Sequence, residues 1–356
     1  MADNKIKTLQ NELKTGDGVF IESAPSRYYF TGFSSSAGIV FITRESACFL
    51  VDFRYFEKAK QTVQNADVIL MTSPKQQLTE IIKKFGIKKI FTEPTQLSVT
   101  RFNNLKMMFS GIEVSDDSAI ENKILEMRSV KSQSELNSIK EAQRLTDETF
   151  KYICTKIALG KTERDIMLDM EFFIRKAGSE GVAFDFIVVS GKNSSLPHGV
   201  PTDKPIERGD FVTMDFGAVV NGYRSDMTRT VAVGSVSDEQ KRVYETVLEA
   251  QTAALNMIRP GLVCKDVDRE ARDIINNAGY EGCFGHGLGH SVGIEIHENP
   301  SFNTRCETVL TPGMIMTVEP GIYLEGKFGV RIEDMVFVTD NGIDDLTKSP
   351  KELIIL

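Results

Sequence analysis

The chain is poor in the residues that stabilise secreted scaffolds and membrane spans. It has five cysteines in 356 residues and no tryptophan. The cysteines are odd in number, widely spaced and never arranged as CxxC, which favours free thiols in a reducing cytoplasm. No apolar run approaches the length of a membrane span, and the polar start MADNKIKTLQNELK predicts a helix rather than a signal peptide.

An excess of basic charge is missing as well. The net charge of −8 lacks the electrostatic footprint of a protein that binds nucleic acid. The hydrophobic fraction of 41% and charged fraction of 26% are those of a globular protein, and the length predicts two domains. We therefore expect a two-domain cytoplasmic protein with neither nucleic acid nor a membrane as partner.

Residues 1–124 alternate short β-like runs with polar helical stretches. The runs VFIES, GIVFI, ACFLVD, DVILM and KKIFTE predict strands, and QQLTEIIKKF predicts a helix. This region contains no histidine and no cluster of acids, and Asp52 is expected to end a strand. It is predicted to form a smaller α/β domain.

Residues 125–356 show the same layout twice. Capping signals and terminal glycines predict helices from Ser132 to about Ile157, from Thr162 to Gly178, from Ser237 to near Gly261, and one ending at Gly279. AGSEG (177–181) recurs as AGYEG (278–282), GDFVTMDFG (209–217) aligns with GMIMTVEPG (313–321), and GYRSD (222–226) aligns with GVRIE (329–333). Three matches in the same order predict a duplicated helix–helix–strand–strand unit. If the halves face each other, Asp215 pairs with Glu319 and Asp226 with Glu333.

The first acid-bearing segment reads as a hairpin. Asn221-Gly222 predicts a type I′ turn, which places residue 215 opposite 228 and residue 217 opposite 226. Asp215 and Asp226 are then diagonal neighbours on one face, where like charges repel each other. A solvated surface hairpin and salt bridges to Arg224 and Arg331 are the alternatives. Two divalent ions would balance the four carboxylates in full, which makes their burial tolerable.

All four histidines lie near these acids: His198, His286, His290 and His297. Three of them fall in the glycine-rich segment GHGLGHSVGIEIHE (285–298). Its glycines disfavour a helix and predict an extended segment whose backbone runs close to a bound ion or substrate. Histidine is the usual metal ligand and acid–base group near neutral pH, so the set indicates a metal-centred hydrolytic site.

These motifs resemble the Xaa-Pro aminopeptidase and prolidase family of pita-bread metallopeptidases. The matching pieces are SLPHGVP (195–201), MDFG (214–217), GYRSDMTRT (222–230), GHGLGHSVGIEIHENP (285–300), TVEPGIY (317–323) and GVRIED (329–334). The resemblance implies an α+β fold, with a pita-bread (creatinase/aminopeptidase-like) duplicated ααββ catalytic domain at 125–356 after a creatinase/prolidase-type α/β domain at 1–124. Creatinase shares this fold without the metal ligands, and methionine aminopeptidases usually lack the leading domain. The proline-directed branch is therefore favoured.

The resemblance also implies which residues form the site. The expected ligands of two divalent ions are Asp215, Asp226, His290, Glu319 and Glu333. Such an oxygen-rich set suits Mn²⁺, with Co²⁺ and Zn²⁺ as alternatives. A hydroxide that bridges the two ions would attack the scissile carbonyl. Around the ligands, Glu319 is expected to transfer the water proton, His286 and His297 to donate to the tetrahedral intermediate, His198 to contact substrate, and Arg331 to orient a ligand.

The implied activity is removal of an N-terminal residue that precedes proline, by a homodimer acting on small peptides. Some prolidases of the family carry an arginine four residues after the histidine that matches His297, where it grips the carboxylate of a dipeptide. Ser301 stands at that place here, which favours an aminopeptidase P preference, although Arg305 lies nearby. A strict Xaa-Pro dipeptidase, a metal-free creatinase-like hydrolase and a non-catalytic binding protein are the alternatives. The last two would not need five intact ligands.

Overall fold

The computed structural model describes residues 5–356, so the first four residues of the predicted N-terminal helix lie outside it, and the rest form α1 (Lys5–Glu12). The described chain divides into two compact units, the first ending at Arg128 and the second running from Ser129 to Leu356. The predicted boundary after Ile124 falls inside helix α6 (Ala119–Ser129) and stays a prediction.

The first unit is built on a mixed sheet with the strand order β4-β3-β2-β1-β5-β6. Its strands are β1 (Asp17–Ile21), β2 (Ile39–Thr43), β3 (Ala47–Val51), β4 (Asp67–Leu70), β5 (Lys89–Phe91) and β6 (Glu113–Ser115). Its further helices are α2 (Ala24–Thr31), α3 (Phe53–Thr62), α4 (Pro74–Lys84) and α5 (Val99–Met108), followed by α6. The five predicted strands and the predicted helix at 76–85 are confirmed. Asp52 directly follows β3 and accepts a hydrogen bond from the N–H of Arg54, which caps α3.

The second unit contains the two predicted helix pairs. They are α7 (Gln133–Cys154), α8 (Glu163–Lys176), α9 (Asp238–Met257) and α10 (Cys264–Ile275), the last continuing as a π turn to Tyr280. The capping boxes that begin at Ser132 and Ser237 both form, because the caps satisfy backbone N–H groups that the first turn leaves unpaired. Among the described residues, no helix combines the length and apolar character needed to cross a membrane.

The strands of the second unit form two larger sheets and two short ladders. They are β7 (Ile187–Ser190), β8 (Phe211–Phe216), β9 (Val219–Val220), β10 (Tyr223–Arg224), β11 (Met227–Ala232), β12 (Gly289–Ser291), β13 (Glu298–Phe302), β14 (Ile315–Val318), β15 (Gly321–Leu324), β16 (Phe328–Arg331), β17 (Asp334–Val338) and β18 (Ile343–Asp345). The sheet orders are β11-β8-β7 and β13-β12-β14-β17-β18, with β10-β9 and β15-β16 as the short ladders.

The predicted register of the first hairpin is confirmed. Asn221 and Gly222 both have positive φ angles, 47° and 69°, as a type I′ turn requires. The pairing places Asp215 opposite Thr228. In the second hairpin, Gly326 has a positive φ at the tip, and the ladders that end at Val318 and begin at Gly321 leave Glu319 between them.

Each helix pair packs against the strands of its own half. One buried cluster joins Ile153 of α7 and Met170 of α8 to Met214 of β8. The other joins helices α9 and α10 to β14 and β17, with Val243 and Val336 among its members. The halves meet along their hairpins, where the N–H of Glu333 donates to the carbonyl of Thr228 at 3.1 Å. This arrangement brings the two sets of acids to one place.

Candidate metal centre

Four carboxylates and one imidazole converge where the two hairpins meet. Asp226, His290 and Glu333 each offer a ligand atom, and these atoms lie within 4.8 Å of one another. His290 Nε2 lies 3.6 Å from Asp226 Oδ2 and 3.4 Å from Glu319 Oε1. Asp226 and Glu333 are 4% and 1% exposed, so the alternative of a solvated surface hairpin is wrong.

The orientation of the His290 ring is set by the protein backbone. Its Nδ1 donates to the carbonyl of Ser291 at 3.1 Å. A proton on Nδ1 leaves Nε2 unprotonated and aimed at the acids, which is the state that a metal-binding imidazole requires. Burial is the main cause that lowers the pKa of His290 to about 4, so the ring is neutral at neutral pH.

The acids repel each other strongly without a cation. Burial, and then the charges of neighbouring carboxylates, raise the pKa values of Asp226 and Glu333 well above the ordinary range. Burial also raises the pKa of Glu319 to about 8, against the opposing charge of Arg331. Asp215 Oδ1 and Glu333 Oε1 are buried and have no hydrogen-bond partner among the described residues. Buried oxygens of this kind fit divalent cations, because positive charge removes the repulsion and uses the free lone pairs.

Salt bridges account for only part of the charge. Arg331 Nη2 donates to Asp215 Oδ2 at 2.6 Å. Arg224, the other arginine of the salt-bridge alternative, donates instead from its Nε to the carbonyl of Ala183. Burial lowers the pKa of Arg224, against the opposing charges of Glu295 and Glu298. One arginine cannot balance four buried carboxylates, so the salt-bridge alternative fails on charge.

Arg331 belongs to a hydrogen-bond chain that includes a residue the sequence analysis missed. Its Nη1 donates to the hydroxyl of Tyr323 at 2.8 Å, and its Nε donates to Thr228 Oγ1 at 3.0 Å. Thr228 in turn donates to Glu333 Oε2 at 2.7 Å. Arg331 thus holds Asp215 directly and Glu333 through one hydroxyl. Tyr323 lies in the TVEPGIY motif, and the pairing of its strand with the strand of Arg331 is the signal that could have identified it.

His286 is placed differently from the expectation. Its Nδ1 lies 2.8 Å from the carbonyl of Gly287, and its Nε2 lies 2.9 Å from the Tyr323 hydroxyl. Burial lowers the pKa of His286 to about 4, so the neutral ring donates from Nδ1 and accepts from Tyr323 at Nε2. Both nitrogens are therefore engaged by described residues, and direct donation from His286 to an intermediate does not fit this arrangement.

One glycine of the histidine segment, Gly289, is required for strand packing. A Cβ on Gly289 would lie 2.1 Å from the carbonyl oxygen of Thr317 in the neighbouring segment. Only glycine allows β12 to pass this close to β14. Gly287 and Gly289 also line a cavity over the acids, so the expectation that these glycines bring the backbone close to a bound ion or substrate stays a prediction.

A cavity of about 630 Å³ opens over the acids, within the range of ligand sites. His198 and His297 line it, and the His297 ring packs edge-on against His290 with 4.4 Å between ring centroids. Apolar residues form part of the wall: Phe184, Pro197, Val200, Pro201 and Ile296.

Cys283 packs against the apolar core, and its thiol is free.

The metal-free protein should lose stability as pH rises from about 6.5 to about 8. Glu319 keeps a proton in the folded state up to a pKa of about 8, while the unfolded chain releases it near 4.5. Below pH 6.5 the buried histidines oppose this trend, because their lowered pKa values favour the unfolded chain. Thermal unfolding after chelation should show a falling melting temperature across this window. Saturation with Mn²⁺ should reverse the slope, because ligands bind metal when deprotonated. A flat metal-free profile would contradict the buried acid cluster.

Comparison with known proteins agrees with this geometry. Metallopeptidase family M24 matches residues 137–340, and the creatinase/prolidase N-terminal domain matches residues 5–130. An Xaa-Pro dipeptidase of Pyrococcus horikoshii is 39% identical over 95% of this chain and 94% of its own length. A structure of an Xaa-Pro dipeptidase from Bacillus anthracis has a TM-score of 0.94 at 42% identity, with 99% of both chains covered. An X-Pro aminopeptidase structure from Thermotoga maritima has a TM-score of 0.91 at 36% identity, covering 98% of this chain and 99% of that one. The implied α+β architecture, a pita-bread domain after a creatinase-type domain, is confirmed.

Proposed function

Because the chain belongs to metallopeptidase family M24 and carries the creatinase/prolidase N-terminal domain, we propose that it hydrolyses the peptide bond between an N-terminal residue and proline. The observation that carries this proposal is the buried cluster in which His290 Nε2 faces Asp226 and Glu319. Solved structures that resemble it along its whole length are described as an Xaa-Pro dipeptidase and an X-Pro aminopeptidase.

The ligands we propose for two divalent ions are Asp215, Asp226, His290, Glu319 and Glu333. Mn²⁺ is the favoured metal for this oxygen-rich set. A homodimer is the assembly that the family resemblance implies. When bound, the ions would polarise the scissile carbonyl and lower the pKa of a nearby water molecule, so that this water could act as the nucleophile near neutral pH. The metal-free creatinase-like hydrolase and the non-catalytic binding protein are not favoured, since every ligand position is filled.

Side chains around the ligands would handle the proton and the developing charge. Glu319 lines the cavity and would take the proton of the attacking water. The proline nitrogen has no N–H in the substrate, so Glu319 would deliver that proton as the nitrogen leaves. His297 would donate to the oxygen on which negative charge develops, and His198, at the cavity wall, would contact the substrate.

We propose that the preferred substrates are longer than a dipeptide, because the wall of the cavity offers little to hold a dipeptide carboxylate. Arg331 lines the cavity wall, but its guanidinium already donates to Asp215 and Tyr323 and is not free to hold a substrate carboxylate. Ser301 lines the wall where an arginine would grip a dipeptide carboxylate, and Arg305 is exposed. We therefore propose an aminopeptidase P preference. A strict Xaa-Pro dipeptidase is the second candidate, and the names of the relatives favour it.

Chelation followed by metal restoration tests the proposal. Dialysis against a chelator should abolish hydrolysis of both an Xaa-Pro dipeptide and an Xaa-Pro-Xaa tripeptide, and Mn²⁺ should restore it. The tripeptide should show the higher kcat/KM. Peptides with alanine in place of proline serve as the control and should be cleaved poorly. Activity that survives chelation would overturn the metal-dependent reading, and a higher kcat/KM for the dipeptide would select the second candidate.

A further inference from the structure

A buried ion pair lies behind the histidine segment, outside the ligand set. Lys131 Nζ donates to Glu298 Oε2 at 3.0 Å, and the two side chains are 1% and 5% exposed. Lys131 directly precedes the capping box of α7, and it is 167 residues from Glu298 along the chain. Burying two charges costs desolvation energy, and an apolar pair of similar size is often as stable. We therefore expect the Lys131–Glu298 pair to do more than stabilise the fold.

Glu298 fastens the loop between β12 and β13. Its Oε1 accepts from the N–H of Ile294 at 3.0 Å and from the N–H of Glu295 at 3.2 Å. A Cβ on Gly293 would come within 2.5 Å of Glu298 Oε2, so the loop closes directly around this carboxylate. Lys131 thus neutralises a carboxylate whose other oxygen holds two backbone amides.

The same lysine also reaches the other end of this loop. Lys131 Nζ donates to Ser291 Oγ at 3.1 Å. The Ser291 carbonyl accepts from His290 Nδ1. His297 follows Ile296 and precedes Glu298. The Lys131 ammonium group therefore contacts the two residues on either side of the loop 292–297, Ser291 and Glu298. His290 directly precedes Ser291, and His297 is the last residue of this loop.

We propose that Lys131, through its pair with Glu298, is a positioning residue that sets the orientation of His290 and His297 in the hydrolytic site. This inference rests on the proposed function for its kinetic consequence. The ion pair holds the backbone on both sides of the loop. On one side the Ser291 carbonyl selects the tautomer of His290, and on the other side the loop ends at His297. Partners behind a metal-binding histidine commonly change affinity or activity by about 10–100-fold when removed.

A double-mutant cycle separates positioning from stability. Lys131→Met and Glu298→Gln each leave one buried charge or polar group without its partner, so each single variant should melt at a lower temperature than wild type. The double variant K131M/E298Q removes both charges and should regain much of the lost melting temperature. Its kcat should nonetheless stay about tenfold or more below wild type, with a smaller change in KM. The exposed pair Lys140–Asp344 supplies the matched control K140M/D344N, which should leave all these values unchanged.

A second readout does not depend on activity. The chain has four histidines, so the ring protons of the metal-free protein give a small set of NMR signals that His290→Ala and His297→Ala assign. The double variant should shift the His290 and His297 signals and leave those of His198 in place, and it should bind Mn²⁺ more weakly. If the double variant does not fold, the near-isosteric Glu298→Gln carries the same NMR test.

Wild-type kcat together with unmoved His290 and His297 signals in the double variant would overturn the positioning role and leave a purely structural pair. If wild type cleaves no Xaa-Pro peptide, the proposed function fails alone. Shifted histidine signals and weakened Mn²⁺ binding would still support the positioning role in that case, and unmoved signals would still refute it.

Discussion

Replacing Asp226 with alanine is expected to strip the protein of bound metal and to lower Xaa-Pro hydrolysis by well over 100-fold. Loss of a partner behind a ligand already costs about 10–100-fold, and Asp226 is itself one of the proposed ligands. Its buried carboxylate offers a ligand atom within 4.8 Å of those of His290 and Glu333, and alanine has no atom to take its place. Elemental analysis after dialysis into metal-free buffer measures the loss.

Removing the charge of Asp226 should stabilise the protein when no metal is bound. Burial, and then the charges of Glu333, Asp215 and Glu319, raise the pKa of Asp226, so its ionised form destabilises the fold when no cation is present. The isosteric Asp226→Asn removes that charge. At about pH 8 the metal-free Asn variant should therefore melt above metal-free wild type. Added Mn²⁺ should raise the melting temperature of wild type far more than that of the variant.

The matched control is Asp344→Asn, since Asp344 pairs with Lys140 at the surface and its side chain is 42% exposed. This variant should keep wild-type metal content, activity and response to Mn²⁺. An Asp226→Ala protein that retains two ions would contradict the proposed ligand set. A metal-free Asn variant that melts below wild type would contradict the repulsion argument.

The hairpin that carries the first two acids could be predicted from local sequence. A type I′ turn fixes its register without reference to the rest of the molecule, and the pairing of Asp215 with Thr228 follows from the position of Asn221 alone. The duplication then placed a second acid-bearing hairpin opposite the first. Local turn geometry and internal repetition therefore sufficed to locate the buried acids.

Contacts across the fold could not be obtained in this way. The position of Lys131 in the chain carries no information about Ser291, 160 residues away. Tyr323 could have been identified from the hairpin register. Gly321 pairs with Arg331, so Tyr323 is a diagonal neighbour of Arg331 on the same face. The role of His286 depended on which groups its two nitrogens meet, and spacing alone does not determine hydrogen-bond partners.

His297→Ala is expected to lower kcat by about 10²-fold or more while both metal ions stay bound. His297 lines the cavity and packs on the His290 ring, so its removal takes away a donor without removing a proposed ligand. Partial burial lowers the pKa of His297, against the opposing charge of Asp215, which favours the neutral ring with one N–H to donate.

Steady-state kcat and KM, measured beside elemental analysis, test this role of His297. His297→Gln is the informative companion, because its amide keeps an N–H donor and should recover part of the lost kcat. Loss confined to kcat indicates an interaction made in the transition state, whereas a rise in KM alone indicates ground-state binding. Unchanged turnover in a fully metallated alanine variant would remove His297 from the chemistry. The developing charge would then have to be stabilised elsewhere, and His198, which also lines the cavity, is the group to replace next.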